Sequence, residues 1–124
     1  MSIPRNPVGW FEIYVQDMDR AKAFYEKTLG VTLQHLESPE IQMWAFPMLE
    51  APGCPGALVH LPGKDSGPGG TLIYFSCADC ATEAARASEI GGQIVKPKFS
   101  IGEYGHISLV LDTEGNMIGL HSMT

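Results

Sequence analysis

A single offset of 62 residues, run along the 124-residue chain, brings like residues together from end to end without a gap. It pairs Asp17 with Asp79, Ala23 with Ala85, Gly30 with Gly92, Leu33 with Val95, Gly53 with Gly115 and Leu58 with Leu120. A repeat of this kind constrains the fold more than any other feature, because each copy must form the same supersecondary unit. Each copy opens with an apolar, aromatic and β-branched run, Trp10 to Val15 and Leu72 to Cys77, which reads as a strand. An aspartate follows, Asp17 or Asp79, placed to accept from the free N–H groups of a helix start. The spacing predicts helices over Met18 to Leu29 and Cys80 to Ile90. The first would bury Ala21, Phe24, Tyr25 and Leu29, and the second a thin face of Ala81, Ala84, Ala85, Ala87 and Ser88. Glycines end both, at Gly30 and at Gly91 and Gly92.

Three shorter strands follow in each half. They are predicted at Val31 to Glu37, Ile41 to Pro47 and Gly56 to Leu61, then at Gln93 to Lys96, His106 to Asp112 and Met117 to Ser122, with a turn over Asp112 to Asn116 joining the last two. The expected architecture is α+β: two tandem βαβββ modules forming a curved mixed sheet around a cleft, since one module alone leaves one sheet face bare. Module one spans 6–62, module two 71–123, and the linker 62–70 is the only stretch of linker-like composition. The whole chain, 1–124, is read as one domain, a length that buries roughly two-thirds of the unfolded surface without disulfides.

Charge narrows the partners. Eight basic against fourteen acidic residues leave a net charge of −6, which repels phosphates and anionic lipid, so neither nucleic acid nor membrane is expected as a partner. No apolar run has the length of a spanning helix, the stretch Met1 to Pro7 has no signal-peptide core, and three cysteines fit a reducing compartment; a cytoplasmic location is expected.

The βαβββ repeat, the aspartate followed by RAKAFYEKTLG, and the closing DTEGNMIGLHS together resemble the vicinal oxygen chelate superfamily, which holds glyoxalase I, extradiol dioxygenases and bleomycin-resistance proteins. The resemblance runs from about Asn6 to Met123 and looks nearest to the small glyoxalase-like bacterial branch. It implies a homodimer and one divalent metal held on the first and last strand of each module. Carried over by the resemblance, the ligand positions are those seven residues before the capping aspartate and four after the turn glycine, with their repeat mates: Trp10, Ala57, Leu72 and Gly119. None of these carries a metal donor, so no metal and no other cofactor is expected, which puts metal-dependent activity in doubt.

Alternation along the strands predicts what lines the cleft instead. Glu12 and Tyr14 share the side of Trp10, Tyr74 and Ser76 that of Leu72, Val59 and Leu61 that of Ala57, and His121 that of Gly119. Trp10, Tyr14, Ala57, Val59, Leu72, Tyr74, Ser76 and Gly119 are the candidate ligand-binding residues. Glu12 and His121 are the candidate catalytic pair, because burial of a carboxylate in an apolar strand raises its pKa toward that of a general base. The alternatives for Glu12 are a solvated position at an open mouth or a structural bond to Tyr74 or His121. Cys77 and Cys80 form a CxxC at a strand-to-helix junction, though Cys77 also fits a core position and no second pair completes a zinc site. Met43, Met48, Met117 and Met123 could furnish an adaptable wall, and the glycine-flanked segment Ile101 to His106 could carry ligand contacts. Three functions remain: a metal-free small-molecule binding protein, for which acidity and aromatic lining favour cationic or planar aromatic ligands; a glyoxalase-like lyase or isomerase using Glu12 and His121, or a metal-dependent member if the ligand positions lie elsewhere; and a subunit whose pocket is vestigial.

Overall fold

The computed structural model describes residues 5–124; Met1 to Pro4, part of the stretch read as lacking a signal-peptide core, lie outside the described residues. Two helices and eight strands make an α+β fold, in the order β1 (Val8–Tyr14), α1 (Met18–Leu29), β2 (Gln34–Leu36), β3 (Gln42–Ala45), β4 (Gly56–His60), β5 (Thr71–Ser76), α2 (Cys80–Glu89), β6 (Gln93–Ser100), β7 (His106–Leu111) and β8 (Met117–Ser122). The chain divides into two compact units, Trp10–Leu72 and Ile73–Thr124, the latter with the described residues up to Gly9.

In the Trp10–Leu72 unit the strand order is β2-β3-β4-β1, with β1 and β4 parallel and the other pairs antiparallel. Asp17 accepts from the Arg20 N–H at 3.0 Å to start α1, and Gly30 ends it in the left-handed conformation at φ 66°. Met18, Ala21 and Tyr25, at helical spacing, pack onto Val15, Leu33 and Leu58, with Trp44 and Phe46 beside them. Two residues expected on this face are not there: Phe24 is 60% and Leu29 57% exposed. Phe24 lies about 100° round the helix from Tyr25 and meets its ring edge-on at 5.0 Å, while Leu29 falls in the last turn, one turn beyond the Tyr25 contact.

The other unit repeats this plan as β5-β8-β7-β6, with β5 and β8 parallel. Asp79 accepts from Ala81 N–H at 3.1 Å at the start of α2. The buried stripe of α2 is Cys80, Ala84 and Ala87, against Val110 and Leu120. Ala81, Ala85 and Ser88, expected inside, are exposed. Cys80 sets the stripe one residue earlier than the alanines suggest, and alanine suits an exposed helix position as well as a buried one.

The repeat is visible in the registers. Glu12 pairs with Ala57 and Tyr14 with Val59; 62 residues on, Tyr74 pairs with Gly119 and Ser76 with His121. The offset does not hold throughout, which corrects the gapless repeat. Met43 pairs with Val59 but Ile107 with His121, so β3 maps onto β7 at an offset of 64. The extra length accompanies β6, which runs to Ser100 instead of stopping at Lys96, with register shifts on either side of Lys96. Pro97 cannot donate to a ladder and so signals a strand end, yet a bulged strand at the end of the order accommodates it. A 3₁₀ turn at Gly102–Tyr104 then leads into β7. The turn over Asp112 to Asn116 forms as expected, with Asp112 accepting from the Glu114 and Asn116 N–H groups. No helix among the described residues is long and apolar enough to cross a membrane.

Candidate functional site

The parallel pairing of β1 with β4 decides which face each candidate occupies. Leu58 and Ile13 turn toward α1, so Glu12, Tyr14, Ala57 and Val59 share the opposite face, with Trp10 one step along it. Antiparallel β3 adds Met43 beside Val59. Glu12 is only 8% exposed, and its carboxylate is held from both sides along its own strand. The Tyr14 hydroxyl donates to Oε1 at 2.9 Å and the Trp10 indole N–H donates to Oε2 at 3.3 Å. Each carboxylate oxygen thus accepts from a neutral donor. The reciprocal effect falls on Tyr14: burial, then the Glu12 charge and the hydrogen bond to it, push the phenol well above its ordinary value, so Tyr14 stays a donor. Ala57, Val59 and Leu72 are buried apolar residues of the same unit. Leu61, at the end of the Ala57 series, is partly exposed, and the Lys64 ammonium stands 5.3 Å from the Tyr14 ring.

In the second unit Tyr74, Ser76, Gly119 and His121 share the face turned away from α2, since Phe75 and Leu120 point into the α2 core. A Cβ added at Gly119 would run into the Tyr74 ring, so glycine leaves the room that ring occupies. His121 donates from Nε2 to the Tyr104 carbonyl, which fixes the ring to the 3₁₀ turn. The Ile101–His106 segment thus contributes an orienting acceptor. A cavity of about 220 Å³ opens at the carboxy-terminal ends of β5 and β8, with Arg5, Ser76, Cys77 and His121 in its wall. Nothing in the sequence singles out Arg5, which precedes β1 in a stretch with no motif or periodicity.

The four positions that the family resemblance marks for a metal do not fit one. The Trp10 indole nitrogen has no lone pair to offer and its N–H is engaged with Glu12; Ala57 and Leu72 are buried hydrocarbon; and the Tyr74 ring fills the space over Gly119. Among the described residues no group of three or more His, Cys, Asp or Glu side chains is placed to hold a metal.

The cysteine pair points to structure. Cys80 is fully buried in the α2 core, and burial together with the Glu83 charge pushes the Cys77 thiol up to about 11, where little thiolate forms. Of the methionines, Met43 and Met117 are partly buried, whereas Met48 and Met123 are 46% and 64% exposed.

The sequence model of the Glyoxalase/Bleomycin resistance protein/Dioxygenase superfamily matches residues 8–120. Two curated relatives, both called "Putative glyoxylase CFP32", from Mycobacterium bovis and Mycobacterium tuberculosis, are 27% identical over 106 residues, or 86% of this chain and 40% of theirs. The chain therefore spans about two-fifths of the length of the curated relatives it matches. Among solved structures, methylmalonyl-CoA epimerase from Mycobacterium tuberculosis matches with a TM-score of 0.71 at 16% identity, covering 95% of this chain and 88% of that one. Hypothetical protein BH1468 from Bacillus halodurans C-125 matches with a TM-score of 0.73 at 12% identity, covering 94% of each chain. At these identities the likeness is one of fold.

Proposed function

Because the chain belongs to the glyoxalase/bleomycin resistance protein/dioxygenase superfamily, we propose that it works as a metal-independent small-molecule binding protein whose ligand is a cation or a cationic planar aromatic. The observation that carries this reading is the buried Glu12 carboxylate, held by Trp10 and Tyr14 on a face that also carries Ala57, Val59 and Met43. A fixed anion among aromatic and apolar groups recognises positive charge and excludes anions, and the net charge of −6 works in the same direction. Binding is favoured over acid–base turnover through Glu12 and His121, because both Glu12 oxygens accept from neighbours on the same strand and the His121 Nε2 is committed to the Tyr104 carbonyl. The epimerase and glyoxylase names belong to the similar proteins; at 16% and 27% identity they carry no substrate across. A homodimer in the cytoplasm is part of the same reading, and light scattering showing a 13.4 kDa particle at micromolar concentration would contradict the dimer.

Native mass spectrometry of the purified protein, combined with elemental analysis, tests the proposal. The expected result is far less than one equivalent of Ni, Zn, Mn or Fe and a melting temperature unmoved by chelator. A stoichiometric metal whose removal lowers the melting temperature would contradict it.

A further inference from the structure

The cavity at the carboxy-terminal ends of β5 and β8 points to a second chemistry. Although acidic residues outnumber basic ones fourteen to eight in the chain, no aspartate or glutamate lines this space. Its polar groups separate into spent and unspent. The Ser122 hydroxyl accepts from the Cys80 N–H and donates to the Thr124 main-chain oxygen, so it is engaged in holding Thr124 against α2. The Arg5 guanidinium and the Ser76 hydroxyl make no hydrogen bond or ion pair among the described residues. Gly9 gives the Ser76 hydroxyl its place, since a Cβ there would collide with it. The His121 ring, fixed through Nε2, keeps Nδ1 available.

We infer that this cavity binds a small aliphatic carboxylate, with the Arg5 fork and the Ser76 hydroxyl taking the carboxylate oxygens. The Arg5 guanidinium matches the geometry and single charge of a carboxylate. Ala78 and the Met123 thioether supply a flank for an alkyl chain, which a phosphate would leave unused. Size sets the class. A volume of about 220 Å³ holds the equivalent of roughly seven waters and falls below the ~300–1,000 Å³ of drug-sized pockets, so an acid of a few carbons fits within it. This inference does not rest on the Glu12 reading, which concerns a ligand of opposite charge.

Butyrate titrated into the ¹⁵N-labelled protein tests it, with n-butylammonium and inorganic phosphate as comparisons. Saturable amide shifts are expected at Ser76, Cys77 and His121 to Met123, with an affinity in the roughly millimolar range open to so small a ligand. Arg5→Gln should weaken butyrate about tenfold, and Ser76→Ala a few-fold. Arg5 is exposed, so its replacement leaves the fold intact, and the variant's unchanged amide spectrum elsewhere would verify that. Absence of saturable shifts, butyrate binding undiminished in Arg5→Gln, or phosphate or butylammonium binding as tightly as butyrate would each overturn the assignment.

Discussion

The ring of Tyr74 lies over Gly119, its partner across the β5–β8 ladder, in the space that any side chain at 119 would need. The repeat mate of this pair is Glu12 beside Ala57. Gly119→Ala should destabilise the protein by about 1–3 kcal/mol through overpacking, read as a lower urea midpoint. Gly119→His should do the same and gain no metal affinity, since one imidazole has no companion donors. A Gly119→Ala variant as stable as the parent would show that Tyr74 moves aside freely.

The Tyr14 hydroxyl stands closer to the Glu12 carboxylate than the Trp10 indole N–H does. Tyr14→Phe removes the hydroxyl and leaves a buried carboxylate with one partner fewer, which should cost about 1–3 kcal/mol. Denaturant unfolding of the single variant measures this. No loss would mean that the bond contributes nothing net against solvation of the two groups.

Acid should weaken the fold through two named carboxylates. A hydrogen bond from Lys98 and the Ala81 N–H hold Asp79 below the ordinary aspartate value, and the Asn116 backbone and side chain do the same for Asp112. A carboxyl depressed in the folded state contributes stability above its unfolded pKa and loses it as pH falls through the folded one. Stability should therefore drop below about pH 4, and Asp79→Asn with Asp112→Asn should flatten that limb. An unchanged acid limb in the double variant would assign it to other groups.

Cys77, pushed up to about 11 by burial and by Glu83, should resist alkylation at neutral pH, and Cys80, wholly buried in the α2 core, should resist it further. Mass-spectrometric labelling with iodoacetamide should show both slower than a free small-molecule thiol. Rapid labelling of Cys77, or a ready Cys77–Cys80 disulfide, would reopen a redox role for the pair.

What the sequence made legible was local. Asp17, Asp79, Gly30 and the Asp112–Asn116 turn carry their structural instruction in their own side chains and spacing, and the repeat relates the β1–β4 register to the β5–β8 one without revealing that either pair forms. Helix faces were legible only in part: Phe24 and Ala85 have the right chemistry for a core, but which stripe is buried depends on the sheet beneath. The two-residue shift between β3 and β7 was hidden because a bulge changes register without changing composition. At the candidate site, alternation placed Trp10, Glu12 and Tyr14 together, whereas their mutual hydrogen bonds depend on rotamers, and the closeness of Arg5 to Ser76 and His121 is a tertiary fact.

The most direct test of the central claim is the affinity of Glu12→Gln for an aromatic cation. In a Trp44→Phe background Trp10 is the only tryptophan, and phenyltrimethylammonium should quench its fluorescence saturably. Glu12→Gln should weaken that binding roughly tenfold to a hundredfold, the loss of one charge-assisted contact. It should cost about 1 kcal/mol of stability, because the new amide keeps one acceptor but turns an N–H₂ toward the second donor. A Glu12→Gln protein that is destabilised yet binds the cation with its original affinity would contradict the account and leave Glu12 as scaffold.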